Sequence, residues 1–178
     1  MTSFHADPRI DDRTRLLLRG FCETLGEDIL RLALDLGLKV FEEDLLPYES
    51  GFLEYAPTCG SASNFRIVVN RHQSIERRRF SVAHEIAHFV LHRDKSDFAF
   101  RSETRHRTNK DLDPFVYLDQ CDKHLEAEAN KFASALLMPP NLFRPANIRL
   151  EGDVDRLAKL FGVSREVARR RLSELPPF

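Results

Sequence analysis

Two histidines four positions apart, His84 and His88, flank Glu85-Ile86-Ala87 in a run whose apolar residues recur at helical spacing. On a helix, residues i and i+4 share one face about one turn apart, so the two imidazoles can reach a common point. A tetrahedral ion bonded to each ring at about 2.0–2.1 Å fits such a point. Glu85 projects to the side of the same face, where its carboxylate can take a proton from a water polarised by the ion. The chemistry this spacing predicts is metal-assisted hydrolysis, with His84 and His88 as ligands and Glu85 as the base.

A catalytic zinc takes three protein ligands and keeps a fourth position for water, so a third donor must come from elsewhere. His92 lies eight residues after His84 and drifts off the ligand face, which makes it a candidate C-terminal cap of the helix. His124 is a second possibility. The stretch Glu126-Ala127-Glu128-Ala129-Asn130 offers two acids. Glu126 is favoured because Asn130, one turn on, can hydrogen-bond a ligand histidine and orient it. Glu128 reads as an exposed helix acid. The small Ala129 and Ala133 let the two helices approach closely.

The elements that must position these residues follow from periodicity. Residues 1–9 read as a flexible tail. Residues 11–36 read as two helices broken near Gly26, and Gly37 ends the second. Short strands follow at 38–41 and 52–55. The clearest strand is 64–70, on which Phe65, Ile67 and Val69 share a face. A long helix spans 74–92 with Phe80, Ala83, Ala87, Val90 and Leu91 on its apolar stripe. Residues 93–120 are polar and irregular. A second long helix covers 124–137 and stops at Met138-Pro139-Pro140. Two more helices join at Phe161-Gly162-Val163, with Ser164 as N-cap of the last. The expected fold class is α+β: a helix-rich core of residues 10–140 with a small, mostly antiparallel or mixed sheet, and a helical segment, 141–178, packed on it.

Composition narrows the functions available. The 178 residues carry a formal net charge of −1, which gives no global pull toward nucleic acid or acidic membranes. Three scattered cysteines form neither a disulfide framework nor a metal knuckle. No signal-like or membrane-spanning apolar run is present, so the expected compartment is the cytoplasm.

Arg79-Phe80-Ser81-Val82-Ala83-His84-Glu85-Ile86-Ala87-His88, followed by Glu126 to Ala133 and by Leu136-Leu137-Met138-Pro139, resembles the ImmA/IrrE family of metallo-endopeptidases over roughly residues 25 to 175. The resemblance implies a gluzincin-like (zincin) core and a Zn²⁺ ion held by His84, His88 and Glu126. It also implies Glu85 as the base and a helix-turn-helix repressor as the protein cut. Mn²⁺ or Fe²⁺ can also occupy such a donor set; availability and four-coordinate preference favour zinc. The long interval between His88 and Glu126 marks 93–120 as an insertion near the cleft and a candidate gate. The further C-terminal sensor domain of larger family members has no counterpart in these motifs.

Substrate contacts are expected from Phe65, Ile67 and Val69, should their strand lie at a sheet edge and accept an extended peptide. Tyr117, His124 and Arg79 are candidates for stabilising the oxyanion. Cys121, near the second ligand helix, could occupy the open metal position as a thiolate. Two other readings compete. Residues 153–172 have a helix-turn-helix look, yet the rest of the chain is not basic, so direct DNA binding is disfavoured. A metal-holding anti-repressor or antitoxin-type partner that binds without cutting has the same motifs.

Overall fold

The computed structural model describes residues 7–25, 27–93 and 120–174, with the side chains of residues 120–122 left out. Two short helices lead: α1, Asp12–Glu23, and α2, Ile29–Asp35. Each begins at an aspartate whose carboxylate accepts a backbone N–H of the first turn, Asp11 from Thr14 and Asp28 from Leu30. Strands β1, Lys39–Glu43, β2, Gly51–Tyr55, and β3, Phe65–Asn70, follow, with a 3₁₀ turn at Pro57–Cys59. Then come α3, Ile75–His92, α4, Gln120–Leu137, α5, Pro140–Arg149, α6, Val154–Phe161, and α7, Arg165–Glu174. The architecture is helix-rich α+β with a mixed sheet.

The sheet has the order β1-β3-β2, with β1 parallel to β3 and β2 antiparallel to it. Strand β3 is therefore the middle strand, and its ladder groups are engaged on both sides. This corrects the expectation that an extended substrate adds to it. Ile67, Val68 and Val69 are 0–2 % exposed, so both faces of the strand are covered as well. Phe65 meets Phe89 of α3 edge-on at 5.5 Å and Tyr55 of β2 at 5.3 Å. Phe65 thus ties the sheet to the helix that carries the histidines, while Ile67 and Val69 lie in the core; the three do not form a peptide-binding edge.

Gly51 permits a close approach. A Cβ built there would sit 2.6 Å from the Val68 carbonyl oxygen, a backbone atom that cannot swing aside. Gly51→Ala should force β2 away from β3 and cost about 1–3 kcal/mol, read as a lower urea midpoint at unchanged slope. An unaltered midpoint would contradict the packing described.

One core runs through the described residues, from Leu18 and Ile29 through Ile67, Ile86 and Leu136 to Phe143, Leu157, Phe161 and Ala168. Helix α5 falls in the stretch expected to be helical, but Pro139-Pro140 reads as a stop and hides where it begins. Proline is also well suited to the first position of a helix, where its missing N–H would have no partner, and Pro140 occupies that position. Ser164 accepts the Val167 N–H and caps α7 as expected.

The expected tail does not extend to residue 9. Ile10 is 2 % exposed and Arg9 is tied down, as described below. Asp11 has its carboxyl held below the ordinary 3.8 by hydrogen bonds from the Thr14 N–H and hydroxyl, against a small opposing effect of burial. A carboxylate whose pKa is depressed on folding stabilises the protein above its unfolded pKa, and that stabilisation fades as pH falls through the folded value. Asp11→Ala should therefore cost ~1 kcal/mol at neutral pH, and the gap to the parent should narrow below pH 3.8 in a thermal-unfolding series. A gap independent of pH would rule out the charged cap.

Candidate metal centre

Helices α3 and α4 pack against each other more extensively than any other pair among the described residues. Ala83 and Ala87 on one side and Ala129 and Ala133 on the other are all fully buried, and without bulky side chains the two backbones can come close. Helical geometry places Glu126 and Glu128 on opposite flanks of the buried ridge Leu125-Ala129-Leu136. The stripe His84-His88-His92 on α3 meets both flanks.

On the first flank, one oxygen of Glu126 lies 3.1 Å from His84 Nε2 and the other 3.2 Å from His88 Nε2, and the two Nε2 atoms are 3.0 Å apart. The three ligating atoms lie within 4.8 Å of one another, the one such group among the described residues. Donors bonded at about 2.0–2.1 Å in a tetrahedron are separated by roughly 3.3 Å, close to this triangle. Two imidazoles and one carboxylate are the donor types that suit zinc, and the fit is good. His88 is 4 % exposed and Glu85 7 %, whereas the Glu126 side chain is 36 % exposed, so the cluster opens to solvent on its Glu126 side.

Burial disfavours a charged His84 ring, but the Glu126 hydrogen bond, the charges of Glu85 and Glu126 and a hydrogen bond with Asn130 outweigh it and raise its pKa. Burial likewise pushes the Glu126 carboxyl up, and the two histidines more than reverse this, holding it far below the usual range. Both shifts come from carboxylate charge facing the ring nitrogens, where a cation would sit. Asn130 lies near enough to His84 to add a small contribution in favour of the charged ring.

On the second flank the sequence reading of His92 and Glu128 is overturned. His92 is 1 % exposed; its Nδ1 lies 3.1 Å from His88 Nδ1 and its Nε2 2.9 Å from Glu128. It is not a helix cap, because relative to His88 it stands one turn on, the same spacing that joins His84 to His88. Glu128 is not a solvated acid: the Arg9 guanidinium grips both of its oxygens at 2.5 and 3.1 Å. The Arg9 hydrogen bonds, with a smaller contribution from His92, bring its pKa down to about 2. Arg9 also pairs with Asp7.

Other anticipated residues lie elsewhere. His124 is exposed on α4 and does not join the cluster. Arg79 turns toward the Glu27 carbonyl and Gly162, at the junction with the C-terminal helices, so it does not serve the oxyanion. Tyr117 and the 93–120 interval, apart from Arg93 and the backbone of Gln120, and the Cys121 side chain lie outside the described residues.

The chain matches the family described as the IrrE N-terminal-like domain, peptidase M78, over residues 33–173. Among solved structures it is similar to a Mycobacterium tuberculosis transcriptional regulator, at 25 % identity and a TM-score of 0.59. That likeness covers 94 % of this chain and 48 % of the other, so the chain spans about half the length of its structural relative. No curated protein matches at a significant level. Among the described residues, no helix is long and apolar enough to cross a membrane.

Proposed function

Because the chain belongs to the IrrE N-terminal-like family of peptidase type M78, we propose that it is a zinc-dependent endopeptidase acting on a helix-turn-helix repressor in the cytoplasm. The observation that carries the reading is the convergence of His84, His88 and Glu126 beside the buried Glu85. A divalent ion held by those three side chains supplies Lewis acidity, polarising a peptide carbonyl and acidifying water near neutral pH.

The remaining chemistry belongs to the chain's own residues. Glu85, the next residue after His84 and close enough to favour that ring's charged form, takes the proton of the attacking water. It then returns the proton to the leaving amine. Burial of Glu85 and His88 limits competing solvent around that carboxylate. Asn130, one turn after Glu126 and near His84, is placed to orient that ring.

The choice of a repressor as substrate rests on the resemblance in the helix motifs, and it accords with a structural relative named as a transcriptional regulator. The DNA-binding alternative is weakened by the outer face of α7. Arg165 pairs with Asp155 and Arg170 with Glu174, so these cations already have acidic partners.

The test is incubation of the zinc-loaded chain with the helix-turn-helix repressor encoded nearest to it, followed by mass spectrometry. A single cut that vanishes in Glu85→Gln supports the proposal. Tight complex formation without a cut in either protein would replace it with a binding-only role.

A further inference from the structure

Behind the candidate ligands runs a second line of polar groups that hydrolysis does not use. His88 presents Nε2 to Glu126 and His84, and Nδ1 to His92. His92 passes the line on from Nδ1 to Nε2 and so to Glu128, and Glu128 ends on the two-pronged contact with Arg9. Four residues from three separate segments thus form one continuous path from the metal-facing nitrogen to the N-terminal segment. His88 and His92 are both almost completely buried, so neither ring has bulk water as a substitute partner.

The proton positions along this path are determined by its ends. A histidine that ligates through Nε2 carries its proton on Nδ1. That proton must be accepted, and the atom facing it is His92 Nδ1. His92 Nδ1 then has no proton of its own, so its Nε2 carries one and donates to Glu128. A carboxylate at that end accepts without ambiguity, and the Arg9 guanidinium keeps it charged and in place. Reversing the link between the imidazoles would set two N–H groups, or two bare nitrogens, against each other, and reversing the next would set a bare nitrogen against the carboxylate, all beside almost completely buried rings.

We infer that His92, Glu128 and Arg9 form a positioning relay that fixes the tautomer and ring orientation of His88 and so controls how tightly the site holds its ion. The inference rests on the metal-centre reading of His84, His88 and Glu126. It gives the segment around Arg9 a role in metal retention although that segment supplies no ligand. It also ties together both flanks of α4, since Glu126 faces His84 and His88 directly and Glu128 reaches His88 through His92.

The experiment measures zinc affinity of the full chain by competition with a chromogenic chelator, together with ¹⁵N-imidazole spectra of His88. His92→Phe keeps a ring in the cavity but offers no acceptor; it should weaken zinc about 10–100-fold and abolish the protected Nδ1–H signal of His88. His92→Gln can accept from His88 and donate to Glu128, and should recover most of the affinity and the signal. Glu128→Leu should weaken zinc in the same direction, and Arg9→Gln less so, since Arg9 is 37 % exposed and His92 still has its carboxylate. If His92→Phe does not fold, Glu128→Leu decides alone, because that side chain is 28 % exposed and its loss opens no cavity.

Affinities within twofold of the parent in His92→Phe and Glu128→Leu, with the His88 signal intact, would overturn the relay while leaving the metal centre standing. Equal losses in His92→Phe and His92→Gln would also overturn it, pointing to packing alone. Zinc binding that is absent in the parent, or indifferent to His84→Ala, would remove the metal-centre reading and the relay with it.

Discussion

Glu85→Gln should leave the fold and zinc affinity intact and lower peptide-bond hydrolysis by about 10²–10⁴-fold, the range for loss of a positioned general base. The amide is nearly isosteric, so the 7 %-exposed position keeps its packing. It cannot take the proton, so attack by water loses its acceptor. The measurement is single-turnover cleavage of the repressor, with metal content and melting temperature as controls. Rates within a factor of three of the parent at full metal loading would remove Glu85 from the mechanism. A fall in rate tracking a fall in metal content would reassign it to ion retention.

Glu126→Gln should act on binding instead. Structural zinc sites draw on the order of 10–16 kcal/mol from four ligands, so each ligand is worth roughly 3 kcal/mol and its loss about 10²–10³-fold in affinity. Folding should not suffer, because the side chain is about one-third exposed at the mouth of the site. A second readout comes from the zinc-free protein. His84 has its pKa raised by Glu126 and Glu85 against the opposing effect of burial. Removing the Glu126 charge should leave burial less opposed, so the His84 titration followed by NMR should move to lower pH. An unmoved titration with undiminished zinc affinity would mean that Glu126 does not face the ligand histidines in solution.

The two principal helices and the three strands were legible because each announces itself locally. The alternation of Phe65, Ile67 and Val69 marks β3, and the stripe of Phe80, Ala83, Ala87 and Val90 marks α3. The pairing of Glu126 with the histidines was also within reach, through the small residues beside it and the amide of Asn130. The position of β3 within its sheet was not, since a strand buried on both faces reads much like one with a free edge until its neighbours are placed. His92 is hidden for a geometric reason: seen from His84, two turns away, it lies off the ligand face, yet its contact is with His88, one turn back. Glu128 and Arg9 are 119 positions apart, and no local pattern joins a cation in a presumed tail to an acid on a distant helix.

The end of α4 is finished by a residue made much later. Arg171, 7 % exposed, donates its Nε–H to the carbonyl of Met138 at 3.2 Å, where most helices settle their last carbonyls with a nearby glycine or with solvent. Until α7 packs against α4, that carbonyl has only water as a donor. The helix bearing Glu126 therefore reaches its settled end only when α7 has packed, which makes the candidate site depend on a segment that supplies none of its ligands.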